Sequence, residues 1–241
     1  MSKVIPWEKS LRREALAARG RSLPDQRSVV RLVNRILKWY AHSGRTFYWR
    51  RSSLRTYEVV IIECLLQRTR AETVEQFLPE FLTKYPDWDA LVSEPQDSLE
   101  RSLKPIGLQQ RRAATLRRLA QAVVAAGRRV PGDAVKLCAL PGVGQYMFYA
   151  INLYRRDEAL PLLDSGMARL LERYFGQKRL LVDLRYDPYL QQLARKVVQA
   201  GSHKAINWAI LDVAAKYCRP RKPVCLDCPI AKGCHFAYLA K

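Results

Sequence analysis

The chain has 241 residues, 49% of them apolar, enough for a sizeable core in one or two domains and too many for a disordered chain. Lys and Arg total 42 against 22 Asp and Glu, a formal charge of +20. A surplus that large repels itself in a compact fold unless a polyanion meets it, so nucleic acid is the expected partner and an anionic membrane surface its rival. The membrane reading fails on pattern. A spanning helix needs about 20 consecutive apolar residues, and the best run, Val59 to Leu66, is short and carries Glu63. The N-terminus, Met1 to Glu8, lacks an apolar core of signal-peptide length, so the expected location is the cytosol or the nucleoid. A disulfide framework is not expected there, and the six cysteines must serve as buried apolar groups or as ligands.

The periodicity is helical almost throughout, with no alternation of period two and no internal repeat, so the fold class is all-α. Gly20 to Asp25 reads as the end of a basic arm, with Lys9, Arg12 and Arg13, that leads into the first full helix. Gly44 to Leu54 is polar and basic and reads as a loop. Tyr57, Val60, Ile61, Cys64 and Leu65 form a helical stripe, and Leu116, Leu119, Ala120, Val123 and Val124 form another. Arg111, Arg112, Arg117 and Arg118 share that second helix, with the apolar stripe on its other side. Gly127 to Asp133 is a turn before a short helix that Asp133 can cap. Leu140 to Gly144 is a tight glycine turn, and Asp157 to Asp164 links two helices. Ile206, Ala209, Ile210, Val213 and Tyr217 make the last stripe. Basic stretches are usually solvated helix faces, but the net charge favours a nucleic-acid surface. Cys64 and Cys138 lie in apolar helical patterns and read as core residues.

The other cysteines, Cys218, Cys225, Cys228 and Cys234, stand in the pattern C-x6-C-x2-C-x5-C. Four thiolates so close in sequence can close on one centre, and Pro220, Pro223 and Pro229 lower the entropy of closure. Zinc prefers two close C-x2-4-C pairs, of which only one exists here. A cubane iron–sulfur cluster accepts wider, uneven spacing. Both metals fit in principle. Arg219, Arg221 and Lys222 lie between the first two cysteines, so a bound centre would fix a small basic loop against phosphates, a structural role more natural than electron transfer.

Leu140-Pro141-Gly142-Val143-Gly144 precedes Gln145, Tyr146 and an apolar helix. Two glycines let the backbone turn tightly and approach another chain closely. The next helix opens with free N–H groups and a positive dipole end, which suits one DNA phosphate bound without reading sequence. Alone, this is equally a plain helix–turn–helix connection.

The glycine turn, an Asp some twenty residues after it and the C-terminal cysteine loop together resemble the helix-hairpin-helix DNA glycosylases. The resemblance is to the iron–sulfur branch containing endonuclease III, the adenine glycosylases and the thymine mismatch glycosylases, and it runs from about Trp39 to Cys234. It implies a [4Fe–4S] cluster on the four cysteines and a monomer. It also implies two helical domains flanking a DNA cleft. The expected division is a basic arm at 1–25, a six-helix domain with the hairpin at 51–155, and a cluster domain built from 26–50 and 156–241.

The resemblance also assigns residues. Asp164, in Leu162-Leu163-Asp164-Ser165-Gly166, reads by itself as a helix N-cap. In the family the catalytic carboxylate occupies that place, and the helix dipole would keep it ionised to stabilise positive charge on the sugar or to orient water. Glu63, among branched apolar residues, should have a raised pKa. Alone it reads as a Glu on a helix edge. In the adenine and thymine mismatch enzymes a Glu here serves the flipped base, and a protonated carboxyl can act as general acid. Tyr146 stands where lyase members carry a lysine that forms a Schiff base, which tyrosine cannot do, so the resemblance implies a monofunctional glycosylase. Gln67 and Arg68 match the wedge that holds the duplex open while a base flips. Gly142, Val143 and Gly144 would meet a phosphate, with Arg219, Arg221 and Lys222 on the cysteine loop.

Two positions depart from the family pattern. Gly166 replaces an Asn common in mismatch enzymes, and Tyr48, in Arg45-Thr46-Phe47-Tyr48-Trp49-Arg50, replaces a usual proline. Adenine glycosylases typically carry a further C-terminal domain, whereas this sequence stops seven residues after Cys234. Ile106-Gly107-Leu108 and the basic helix after it look more like thymine mismatch glycosylases. The expected substrate is double-stranded DNA with thymine or uracil opposite guanine. Adenine opposite guanine or oxidised guanine comes second, and a modified cytosine third. A cluster-bearing DNA-binding module without activity is the non-enzyme alternative.

Overall fold

The computed structural model describes residue 7, residues 21–51 and residues 54–239. Most of the basic arm, including Lys9, Arg12 and Arg13, lies outside the described residues. In chain order the helices are α1 (Gln26–Ser43), α2 (Thr56–Leu66), α3 (Ala71–Lys84), α4 (Trp88–Ser93), α5 (Gln96–Leu103), α6 (Gln109–Ala125), α7 (Ala134–Cys138), α8 (Gln145–Arg156), α9 (Ser165–Phe175), α10 (Pro188–Val198), α11 (His203–Lys216) and α12 (His235–Leu239). No strand occurs among the described residues, so the fold is all-α. None of their helices is long and apolar enough to cross a membrane.

Local chemistry sets many helix starts. Asp25, Asp87, Asp133, Asp164 and Asp187 each accept a bond from the amide three residues on, at 2.8, 2.9, 2.9, 2.7 and 2.7 Å. Each cap satisfies one amide that the helix itself leaves unpaired and contributes about 1 kcal/mol.

The chain divides into two compact units, one of Met1–Arg45 with Asn152–Lys241 and one of Thr46–Ile151. In the second, α2 packs against α3 and α6, and α6 packs against α4 and α5. The stripe on α2 suggests one apolar face, but every residue from Tyr57 to Leu65 is buried. Side chains from several helices surround it, and a single-face pattern cannot report that. The segment from Gly44 is not simply a polar loop either. It holds a 3₁₀ turn at Tyr48–Arg50, and Phe47 and Trp49 are buried and stacked with ring centroids 4.6 Å apart.

In the first unit, Leu32 and Ile36 of α1, Met167 and Leu171 of α9, Leu190 and Leu193 of α10, and Ile206 and Ile210 of α11 form one core. Each such side chain contributes about 2 kcal/mol by leaving water. Cys218, Cys228 and Cys234 pack against this core. It therefore holds in register the two features that matter here, the start of α9 and the cysteine loop.

Candidate active site

The hairpin is α7, the glycine turn and α8. Gly142 has φ +82°, where a side chain is strained, and an added Cβ would meet Thr115 Cγ2 at 2.9 Å. Gly144 has open space around it, so its role is the turn itself and an open approach. Val143 is buried and donates from its amide to Leu140 O at 3.1 Å, anchoring the turn to the unit's core. Helix α8 begins with Phe148 N bonding Gly144 O at 2.9 Å. Tyr146 is half-buried in its first turn.

Glu63 sits near the C-terminal end of α2, buried among apolar neighbours, and burial pushes its carboxyl up to about 7. The raised value expected from sequence is present, and its cause is desolvation. The next residue, Cys64, is core as expected, its thiol pushed up to about 12 first by burial and then by Glu63. Cys138 is only half-buried, so it is not the fully buried core residue that its apolar pattern suggests. Gln67 and Arg68 follow α2 and are exposed, Arg68 in the left-handed region at φ +59°. Of the four arginines read as one basic face of α6, Arg111 and Arg118 are exposed, Arg117 is half-buried and Arg112 is buried. The helix end beside it supplies oxygen partners that replace water around that charge.

Asp164 caps α9 through Oδ1, which accepts from Met167 N at 2.7 Å, and the residue remains partly exposed. Its pKa is raised: burial outweighs the lowering by the Met167 and Gly166 amides and by Arg169. Gly166 is explained by packing, since an added Cβ would lie 3.2 Å from Asp164 Oδ1 and 3.3 Å from Ala214 Cβ. Tyr48 donates from its hydroxyl to Glu58 at 3.0 Å and from its amide to Glu75 at 2.9 Å, contacts that fasten the 3₁₀ turn to α2 and α3.

Cys218, Cys225, Cys228 and Cys234 line one pocket together with Leu170, Ile230 and Phe236. Burial pushes the Cys228 thiol up to about 11 and raises that of Cys234. Arg173 of α9 donates to Cys218 Sγ at 3.5 Å, with its guanidinium 4.5 Å from the Phe236 ring centroid. Arg219, Arg221 and Lys222 are exposed on the loop. Among the described residues, no three His, Cys, Asp or Glu side chains come together as a site for a single metal ion.

Sequence reasoning missed two buried polar residues of α11. Asn207 of α11 accepts from Leu162 N at 2.7 Å and donates to Leu160 O at 3.1 Å, fixing the segment that leads to Asp164. Asp212 accepts from Arg45 N and Nε at 2.8 and 2.7 Å, tying the residue that follows Gly44 to α11 within the same unit. A polar residue inside an apolar helical stripe was the available signal for both.

A glycine hairpin, a partly exposed carboxylate capping the following long helix and a buried acid in the central helix agree with a family assignment. The chain belongs to the HhH-GPD superfamily of base excision DNA repair proteins, whose family model matches residues 61–181. It is 33% identical to the thymine-DNA glycosylase of Aeropyrum pernix over 87% of this chain and 96% of that protein. It is 26% identical to an adenine DNA glycosylase of Buchnera aphidicola over 86% of this chain but 59% of that protein. Among solved structures, that of a thermostable thymine-DNA glycosylase matches with TM-score 0.79 and 30% identity, over 88% of this chain and 98% of its own. The protein is accordingly a DNA glycosylase and its partner is DNA.

Proposed function

We propose that this DNA glycosylase hydrolyses the N-glycosidic bond of a flipped thymine or uracil opposite guanine and leaves an abasic site without cutting the strand. The observation that carries this reading is the likeness, over nearly the whole of both chains, to a thymine-DNA glycosylase rather than over part of an adenine enzyme. Uracil enters with thymine because it lacks only a methyl group, and a pocket that holds the larger base has room for the smaller.

In this reading Glu63, protonated near neutral pH, donates to the departing base. Asp164, fixed by the Met167 amide, faces the positive charge that grows on the sugar and orients the attacking water. Tyr146 offers no amine, so no Schiff base forms. Gln67 and Arg68 hold the duplex open, and the Gly142–Gly144 turn takes a backbone phosphate. The cysteine pocket suits a [4Fe–4S] cluster: four sulfurs share one largely apolar pocket, and an arginine N–H reaches one of them. That cluster would supply no step of the hydrolysis. It would hold the loop bearing Arg219, Arg221 and Lys222 in place against phosphates.

The test is single-turnover excision on T·G, U·G, A·G and A·oxidised-G duplexes, with hot alkali to reveal abasic sites and borohydride to trap adducts. Cleavage at T·G and U·G only after alkali, with no trapped adduct, is the expected result. Cleavage confined to adenine pairs overturns the substrate, and a stable borohydride adduct overturns the monofunctional mechanism.

A further inference from the structure

Arg112, closing the first turn of α6, is buried and has a guanidinium that reaches two separate loops. Its Nη1 donates to Cys64 O at 2.9 Å and to Leu65 O at 2.7 Å. Its Nη2 donates to Gln67 O at 3.3 Å and to Thr69 Oγ1 at 2.8 Å. Its Nε donates to Gly107 O at 3.4 Å. Cys64 and Leu65 carry two of the last carbonyls of α2, which have no helical donor of their own. A positive group there also meets the negative end of the helix dipole.

The two loops so joined are unusual in backbone. Arg68 lies at φ +59°, and on the other side Gly107 and Leu108 lie at φ +72° and +54°. Non-glycine residues rarely adopt this region and need their surroundings to hold them there. Leu108 is 48% exposed, and with Gln67, Arg68 and Arg112 it lines one small hollow. Among the described residues none of the Arg112 bonds goes to a carboxylate. Apart from the Thr69 hydroxyl, its partners are backbone carbonyls of the α2 end and of these loops.

We propose that Arg112 is a positioning residue for base extrusion: it locks the Gln67–Arg68 segment and the Gly107–Leu108 turn into one rigid block presented to the duplex. The proposal rests on the reading of Gln67 and Arg68 as the duplex-opening element. A lysine in its place keeps the charge but is a compact point charge that cannot span these oxygens as the planar fork does.

Two measurements on Arg112→Met and Arg112→Lys test it. Hydrogen exchange reads the Thr69 amide, which bonds Leu66 O at 3.2 Å. Single-turnover excision compares the target base in its mismatch with the same base in a one-nucleotide bulge, where little unstacking is left to do. Both variants should lose protection at Thr69 while melting cooperatively. Excision should fall about tenfold or more on the mismatch, as misplacement of a positioned group does, and by no more than about threefold on the bulge, where flipping costs least. Unchanged protection at Thr69, unchanged mismatch excision, or equal loss on both substrates would each overturn the proposal. Gln67→Ala/Arg68→Ala separates the two readings. If that double variant keeps full mismatch excision, the duplex-opening assignment fails, while the exchange data still decide whether Arg112 holds the loop.

Discussion

Arg169 donates from Nε to the carbonyl oxygen of Cys218 at 2.6 Å, tying the helix that Asp164 opens to the first cysteine of the C-terminal loop. One turn on, Arg173 donates to the carbonyls of Arg219 and Pro220 at 2.7 and 3.2 Å. Helix α9 thus bears a carboxylate at its start and grips the cysteine loop through two arginines on its flank. One helix links Asp164 to the cysteine loop through three direct hydrogen bonds.

Asp164→Asn should separate chemistry from capping. Asn caps a helix as well as Asp does, so the melting temperature should hold while excision falls by about 10²–10³. Asp164→Ala should lose the same activity and also about 1 kcal/mol of stability through the missing cap. Excision by Asp164→Asn at the wild-type rate would remove the carboxylate from the mechanism.

Glu63 makes stability depend on pH. Its folded carboxyl titrates at about 7 against 4.5 when unperturbed, because burial opposes the charge. Between these values the folded state holds a proton that the unfolded state has released, so stability falls as pH rises through this window and levels off above it. The full difference is about 3 kcal/mol. Glu63→Gln should be free of this cost, so its stability advantage grows from pH 4.5 to 7 and then stays constant. Parallel unfolding curves for the two proteins across that range would contradict the assignment. Wild-type excision should decline on the alkaline side of the same titration.

Gly166→Ala tests how closely the carboxylate must be placed. The new Cβ would crowd Asp164 Oδ1 at 3.2 Å and Ala214 at 3.3 Å. Overpacking of this kind costs about 1–3 kcal/mol, and a displaced carboxylate should slow excision about tenfold or more. Slower excision with an unchanged apparent affinity for DNA is the expected signature. A normal rate would show that the site tolerates movement of Asp164.

The cysteine pocket predicts iron and inorganic sulfide in the purified protein, and Cys228→Ser should lose most of both. Because α9 grips this loop, the same variant should melt at lower temperature and excise more slowly. Zinc in stoichiometric amount without sulfide would replace the cluster assignment.

The sequence by itself determined the features that depend on neighbours along the chain. Asp164 reads as a cap because an N-cap bond spans three residues, and the cysteine loop is legible because its ligands sit within one short segment. The glycine turn is legible because Gly142 needs a positive φ whatever surrounds it. The apolar neighbours of Glu63 in sequence point to its raised pKa, but the burial on all sides of α2 that causes the shift depends on helices far along the chain. Only the tertiary structure decided the remainder. Arg45 meets Asp212 across 167 residues and Arg112 meets Leu65 across 47, and neither partner carries a local signal for the other. It also decided the sign at Asp164, where burial by distant side chains outweighs the helix start that the sequence displays. Capping, turning and ligand spacing are short-range physics written in order along the chain. Desolvation and the choice of oxygen for a buried guanidinium depend on what packs nearby, and packing exists only once the chain has folded.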